Sequence, residues 1–513
     1  MKRFYVVLLA LGLITAFSLP VYAVDLTLSG DWYTRSWYVS NVNMATGPGY
    51  SANNSEALLE TRTRLAPHLT ISEGLYFDMR LDALENVWGD RSWGTSPGNT
   101  LGYSQTGMRV QSPQGQQILA QQNIEIQRAW VTAVTPIGAL LVGYQPFSRW
   151  GTSFGDSDMS VPGVTYAAES GPLTFIAQWG RYIEGQNDTF GGTVGGTGVP
   201  AVNAVDSDYD EYQVGAIYKF TGGETGLALQ YIRIATTRAY PMLLGITSPS
   251  NPNDANYDAT QYVYGFDPYF KYTLGPLYIE GEFLYGLGKY ADFENNSVVG
   301  KDIDVNTMDA YLNAKVNVGP AYVGGMFAYA EGNDPDRPNM LSGGVSKWLQ
   351  LGSDFSPCLI LWNSDYTNIV GSLKGAIPLI PGIDVPAANG SFIPTSPYSH
   401  MVDAYFDNAW LYQFYAGVKP IPKLELKGIF SYAYADEKPT LLEWMPQSAS
   451  NPKFVGKNYG EELDITATYM IFKNLSFMLG GGYLWTGDYF KGTDPSATVQ
   501  NNYLITSKLA LNF

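Results

Sequence analysis

The side chains best placed to do chemistry in this sequence are charged residues that recur at every second position. Glu60, Arg62 and Arg64 share one parity, and Asp78, Arg80 and Asp82 share one parity of the next segment. Glu125, Glu211, Lys219, Asp267 and Lys271 follow, then Glu280 and Glu282, Asp309 and Lys315, Glu425 and Lys427, Glu462 and Asp464, and Lys508. A spacing of two places side chains on one face of an extended strand. Charges of both signs on one face of many strands make a polar wall, and rings of such charges sort passing solutes by charge. The same groups would also pair with one another and simply satisfy the wall, and the two roles are compatible. Acids outnumber bases in the set. Arg62, Arg64 and Arg80 sit on segments joined by the turn Ser72-Glu73-Gly74, so a local basic ladder facing Asp78 and Asp82 is expected. Arg128, Arg181 and Arg233 break the parity, and a bulge or an interfacial position would account for each.

Covalent and metal chemistry find little material. The chain has two histidines, His68 and His400, and one cysteine, Cys358. A hydrolase needs a histidine within reach of an exposed hydroxyl nucleophile, and nothing in the pattern puts one there. Metal sites built from Cys and His are excluded by number, so no cofactor is expected. The acidic runs Asp206-Ser207-Asp208-Tyr209-Asp210-Glu211 and Asn333-Asp334-Pro335-Asp336 offer oxygen ligands for calcium, but neither matches an EF-hand loop, and solvated turns look the same. A net charge of −17 disfavours nucleic acid as a partner.

The elements that would hold the charged wall are strands. Tyr262-Val263-Tyr264-Gly265-Phe266-Asp267-Pro268-Tyr269-Phe270-Lys271-Tyr272 carries aromatics on nearly every even position, and Met308–Val318 and Leu463–Ile471 alternate in the same way. Short turns at 72–74, 136–138, 170–172, 222–224, 274–276, 319–320, 420–422 and 473–474 alternate with long polar stretches at 39–55, 87–121, 184–207, 239–259 and 333–402. That asymmetry is the mark of an all-β, antiparallel transmembrane barrel with short periplasmic turns and long outer loops. The spacing gives about 18 strands, and barrels of that size enclose an aqueous channel. Composition agrees: 15% charged residues, 55 Gly and 38 Tyr suit tight turns and interfacial rings better than a soluble enzyme, which averages about 25% charged.

Two loops are candidates for narrowing the lumen. Residues 147–162 carry Phe147, Arg149, Trp150, Phe154, Asp156 and Asp158, and of these Arg149, Trp150, Asp156 and Asp158 would form a constriction folded inward. Residues 333–402 are unusually apolar for an external loop, with Trp348-Leu349, Cys358-Leu359-Ile360-Leu361-Trp362 and Ile377–Ile383. Such residues need cover, in the barrel mouth as a lid or against a neighbouring subunit, and the segment has room for an extra strand pair.

The ends fit the same picture. Lys2 and Arg3, the apolar run 5–17, Pro20 and Val21-Tyr22-Ala23 read as a secretory signal with cleavage near Ala23. Cleavage would leave 513 − 23 = 490 residues, with the charge moving from −17 to −17 − 2 = −19. Residues 24–513 then form one barrel. At the other end Tyr503, Ile505, Leu509, Leu511 and Phe513 share one parity, interrupted only by Ser507, with Lys508, Ala510 and Asn512 on the other. A last strand ending on Phe resembles the segment by which outer-membrane barrels are taken up by the barrel-assembly machinery.

A wider resemblance lies in Glu60-Thr61-Arg62-Thr63-Arg64-Leu65 followed by Phe77-Asp78-Met79-Arg80-Leu81, and in Ile126-Gln127-Arg128-Ala129-Trp130-Val131 followed by 138–145. Over residues 60–155 this pattern is similar to the alginate export family, which implies an 18-stranded barrel passing an anionic polysaccharide. A polyanion pore would carry an excess of Arg and Lys, whereas acids predominate here, so the architecture carries over and alginate does not. The expectation is an outer-membrane porin for passive diffusion of small polar solutes or ions, in contact with outer-membrane lipids. The alternatives are an export conduit for an anionic polymer and a structural or adhesive barrel plugged by 333–402.

Overall fold

The computed structural model describes residues 25–41, 44–46, 55–88, 124–184, 208–238, 258–293, 302–337, 340–341, 352, 355–363, 385–386, 392–393, 406–440 and 452–513. The expected signal segment, His400, Trp348-Leu349 and Ile377–Ile383 lie outside these residues.

Eighteen long strands form the wall. They are β1 (Asp25–Val39), β2 (Glu56–Ser72), β3 (Leu75–Val87), β4 (Ile124–Thr135), β5 (Gly138–Phe147) and β6 (Met159–Ser170). The wall continues with β7 (Leu173–Ile183), β8 (Tyr209–Phe220), β9 (Gly223–Arg238), β10 (Asp258–Leu274), β11 (Leu277–Phe293) and β12 (Ile303–Val318). It ends with β13 (Ala321–Ala330), β14 (Ala409–Ile421), β15 (Leu424–Tyr434), β16 (Asn458–Phe472), β17 (Leu475–Thr486) and β18 (Asn502–Asn512). Each strand pairs antiparallel with its neighbour in sequence, and β18 returns to β1 from Asp31↔Asn512 to Val39↔Leu504. Beyond that register Gly30 and Phe513 exchange both backbone hydrogen bonds, at 2.9 and 3.0 Å. Closure removes the free edges that an open sheet would expose.

Alternation decides which side chains see which solvent. On β16, Leu463 and Ile465 are exposed while Glu462 and Asp464 are wholly buried inside. Leu26, Leu28, Ile126, Val142, Phe266, Leu312, Phe414 and Ile505 stand exposed on the outer face in the same way. Apolar area left in water costs about 25 cal/mol per Å², so this exterior belongs in hydrocarbon, where a closed barrel satisfies every backbone group. At the short turn after β10, Gly275 has φ +58 and a Cβ there would meet nothing; glycine serves its left-handed backbone, not a lack of space.

The three arginines off parity have distinct causes. The β3–β4 register slips between Arg80 and Leu81, pairing Arg80 with Arg128 but Leu81 with Ile126. Gln127 is the extra residue of that bulge, so it and Arg128 both reach inside. Arg181 and Arg233 stay outside on one rung, Arg181↔Asp210↔Arg233, next to the aromatic rung Trp179↔Tyr212↔Tyr231. That is an interfacial position.

Two possibilities left open by the sequence meet the structure here. The segment 333–402 adds no wall strand among the described residues: Met340–Leu341 makes a two-residue parallel rung on β12, and Val385–Pro386 pairs only with Phe392–Ile393. Of the acidic run at 206–211, the described residues 208–211 do not converge on one point. Asp208 and Asp210 turn to Arg181 on the outer face, at 2.8 and 2.9 Å, while Glu211 turns inward to the Tyr182 hydroxyl at 2.7 Å. In the second run Asp334 meets Arg337 at 3.3 Å and Asp336 meets Lys453 at 2.9 Å.

Candidate functional site: the lumen and its two inward segments

From β18 round to β4 the inward charges meet across strands. Lys508, Arg62 and Arg35 gather round the Tyr33 ring, 4.8, 4.8 and 5.5 Å from its centroid. Arg35 pairs with Glu60, Arg62 with Asp31 at 3.5 Å, and Arg64 grips Asp82 by two bonds of 2.8 and 2.9 Å. Glu125 is the β4 partner of Asp82. Arg80 donates to Gln127 at 2.7 Å and to Asp158 at 2.6 Å. Arg128 reaches the same Asp158 at 2.8 Å, and Arg149 lies 3.7 Å from it. Burial raises the affinity of Asp158 for a proton, but the Arg128 and Arg80 guanidinium groups outweigh it and hold the carboxyl below its ordinary range. Nearer the short turns His68 bonds Asp78 at 2.7 Å and stacks on Tyr76.

The loop between β5 and β6 leaves this wall and crosses to β10–β12. Trp150 seats its ring over Gly215 and Gly226 and edge-on to Tyr269, with its indole N–H donating to the Asp267 carbonyl at 3.1 Å. One Glu282 oxygen accepts the Thr152 hydroxyl and the backbone N–H of Thr152 and Gly155, the last two at 3.0 and 3.1 Å. A Cβ on Gly151 would fall 1.7 Å from Glu282, at φ +72, so the approach is open only to glycine. Phe154 stacks on Tyr311 and meets Phe355 edge-on, at 5.2 and 5.1 Å. Asp156 accepts the Trp150 N–H at 3.1 Å and so braces the loop itself.

Residues 355–363 enter from the other side. The Glu462 carboxylate accepts the N–H groups of Ile360 and Leu361 at 2.7 and 2.9 Å, and Asp464 accepts that of Leu359 at 3.1 Å. Cys358 is buried against Gln413 and Ser431, and burial beside the two carboxylates pushes its thiol up. Gly352 N–H donates to the Gly155 carbonyl at 3.1 Å, joining the two inward segments. Around them Trp37, Ile232, Val263, Leu284, Leu411 and Leu484 line the upper wall, where aromatic and aliphatic side chains of the segments pack.

Burial therefore divides the expected lumen residues. Glu211, Asp267, Glu282, Asp309, Glu462 and Asp464 are at most 4% exposed. The side chains of Arg64, Arg80 and Arg149 are 20, 14 and 57% exposed. Nearer the short turns the wall is mixed and open. Lys271 lies 3.8 Å from Glu224 and over Tyr269, Glu280 accepts from Tyr278, Tyr311 and Asn313, Lys315 stands between Tyr278 and Tyr322, Glu425 accepts from Tyr322, and Lys427 lies over Tyr415. Lys219, at the end of β8, is exposed. Residue-level reading missed Arg35, Gln127 and these inward tyrosines. The signal for the tyrosines was parity: Tyr269 falls between Asp267 and Lys271 on their face. Among the described residues no three His, Cys, Asp or Glu side chains gather at one point.

No protein-family model matches the chain, nor does any curated protein sequence. Solved structures similar to it are outer-membrane barrels. OccK9 (OpdG) of Pseudomonas aeruginosa is 11% identical with a TM-score of 0.46 over 95% of this chain and 99% of that one. A BenF-like porin from Pseudomonas fluorescens Pf-5 is 12% identical with a TM-score of 0.43 over 95 and 99%. An anion-selective porin from Comamonas acidovorans is 11% identical with a TM-score of 0.39 over 96 and 100%. At such distances the lumen of one barrel says nothing about the contents of another.

Proposed function

We propose that the barrel is a channel of the outer membrane for passive diffusion of small polar solutes, with a preference for anions. The observation that carries this reading is the unequal burial of charge. Glu282, Glu462 and Asp464 are covered by the two inward segments, and Glu211, Asp267 and Asp309 are buried as well, whereas Arg64, Arg80 and Arg149 keep part of their side chains exposed. A small anion moves from Arg149 to Arg80 and on to Arg64 and Arg62. Each arginine already holds a carboxylate, so the visitor is held briefly at several sites, which favours flux over tight binding. The lysine and tyrosine band nearer the short turns continues the path. No catalytic role falls to His68, whose Asp78 bond and Tyr76 stacking account for its position.

The N-terminal segment is read as a signal cleaved near Ala23, and β18 with Phe513 as the part presented to the barrel-assembly machinery. The reversal potential of the purified protein in a planar bilayer under a salt gradient tests the function. An anion-directed potential is expected; a cation-directed one overturns the preference, and absence of any conductance overturns the channel. Export of an anionic polymer such as a polysaccharide is the second reading, favoured by the same arginines. It requires a polyanion added on one side to block the current.

A further inference from the structure

Behind the crossing loop lies a group of polar atoms that the channel reading does not use. Both Asp267 carboxyl oxygens, Glu282 Oε1 and both polar atoms of the Gln230 amide have no hydrogen-bond partner among the described residues. The three residues are 1, 4 and 3% exposed. Strand register brings them together. Asp267 stands opposite Ala228 on β9, two residues from Gln230 on the same face. On the other side Glu282 pairs with Tyr269, two residues from Asp267 on the same face. Diagonal neighbours of this kind lie about 7–8 Å apart at the backbone, within reach of long side chains. Thr152, Gly155 and Trp150 close the space from the lumen side.

Nothing nearby balances the two carboxylates. Of the bases on the elements packed here, Lys271 and Lys219 lie further toward the short turns, Arg149 is drawn to Asp158, and Arg233 and Lys289 are on outward positions. Two carboxylates closed off from water without a base are strongly unfavourable unless a cation or a proton joins them. A divalent ion neutralises both. The donors are all oxygens, which excludes zinc's preference for nitrogen and sulfur. A set of carboxylate and amide oxygens from the protein suits calcium, which takes about 6–8 oxygen ligands flexibly, better than magnesium, which sheds its water reluctantly and is seldom held by protein ligands alone. We propose that Asp267, Glu282 and Gln230 bind one calcium ion behind the crossing loop, and that this ion helps Glu282 hold the loop across the lumen.

Terbium, a luminescent stand-in for calcium, tests this, because Trp150 touches the site and will sensitise it. In the intact barrel in detergent, indole-excited terbium emission is expected, displaced by calcium but not by equal magnesium. Asp267→Asn and Trp150→Phe should abolish it, while Asp336→Asn, on a distant outer loop, keeps it. Removing calcium with EGTA should enlarge single-channel steps. If Asp267→Asn fails to assemble, Gln230→Leu keeps both carboxylates and should weaken calcium competition roughly tenfold or more, as loss of a supporting ligand does. Emission that survives in Asp267→Asn or Trp150→Phe, unchanged affinity in Gln230→Leu, or loop opening that follows pH and ignores calcium overturns the proposal.

Discussion

From β18 to β4 the inward charges face one another across strands, Arg64 to Asp82, Arg62 to Asp31, Arg80 and Arg128 to Asp158. On β11 and β16 the buried inward acids instead face backbone N–H groups of chain folded in from loops, Glu282 to Thr152 and Gly155, Glu462 to Ile360 and Leu361. The first wall keeps the Arg62, Arg64 and Arg80 guanidinium groups partly open to water. The second has given up its charges as fasteners. A carboxylate on the lumen face of a strand thus has two available roles, and what arrives from a distant loop decides between them.

Breaking the fasteners should give the largest effects. Glu282→Ala strands three donors in a dry space, each costing about 1–3 kcal/mol. The crossing loop should leave, and single-channel steps should rise more than in any other variant considered; an unchanged step would show that the loop is held elsewhere. Glu462→Ala strands two donors, and a smaller rise in step size is expected, with little movement of the reversal potential. Altering the first wall should do the opposite. Arg64→Ala combined with Arg80→Ala should leave the step size nearly as it was and move the reversal potential toward cations. Asp158→Asn should move it toward anions, and a shift in step size alone would mean that Asp158 serves only to anchor the loop.

The smallest effect concerns pH. The carboxyl of Asp158 is held below its ordinary value of 3.8. A depressed folded value means that the tether is fully present above the unfolded value and is lost as pH falls through the still lower folded one. Ion selectivity should therefore stay flat from neutral pH down to about pH 4, and a change above that range would implicate another group.

Much of this was readable from residue order. Spacing by two gave the strands, short turns gave their pairing, and an even count followed. The inward parity of Asp267, Lys271, Asp309, Glu462 and Asp464 followed as well, because a strand offers only two faces. Which of those acids meets water was not readable. Covering Glu462 depends on residues 359–361, about a hundred positions away, and no local pattern encodes that contact. For Arg128 the sequence left a bulge and an interfacial position open, because a one-residue bulge at Gln127 reverses parity without any unusual residue type to announce it.

The bond pair between Gly30 and Phe513 has a kinetic meaning. The other strand pairs of the wall join neighbours in sequence, across connections of at most 408 − 331 + 1 = 78 residues. The seam joins residues 513 − 30 = 483 apart. Loop-closure entropy grows only slowly with length, yet this contact gains nothing until the rest of the curved sheet has brought its two edges together. Weakening the seam should therefore slow assembly far more than it loosens the finished barrel, and half-built sheets with β1 and β18 unpaired are the species most exposed to sticking to one another.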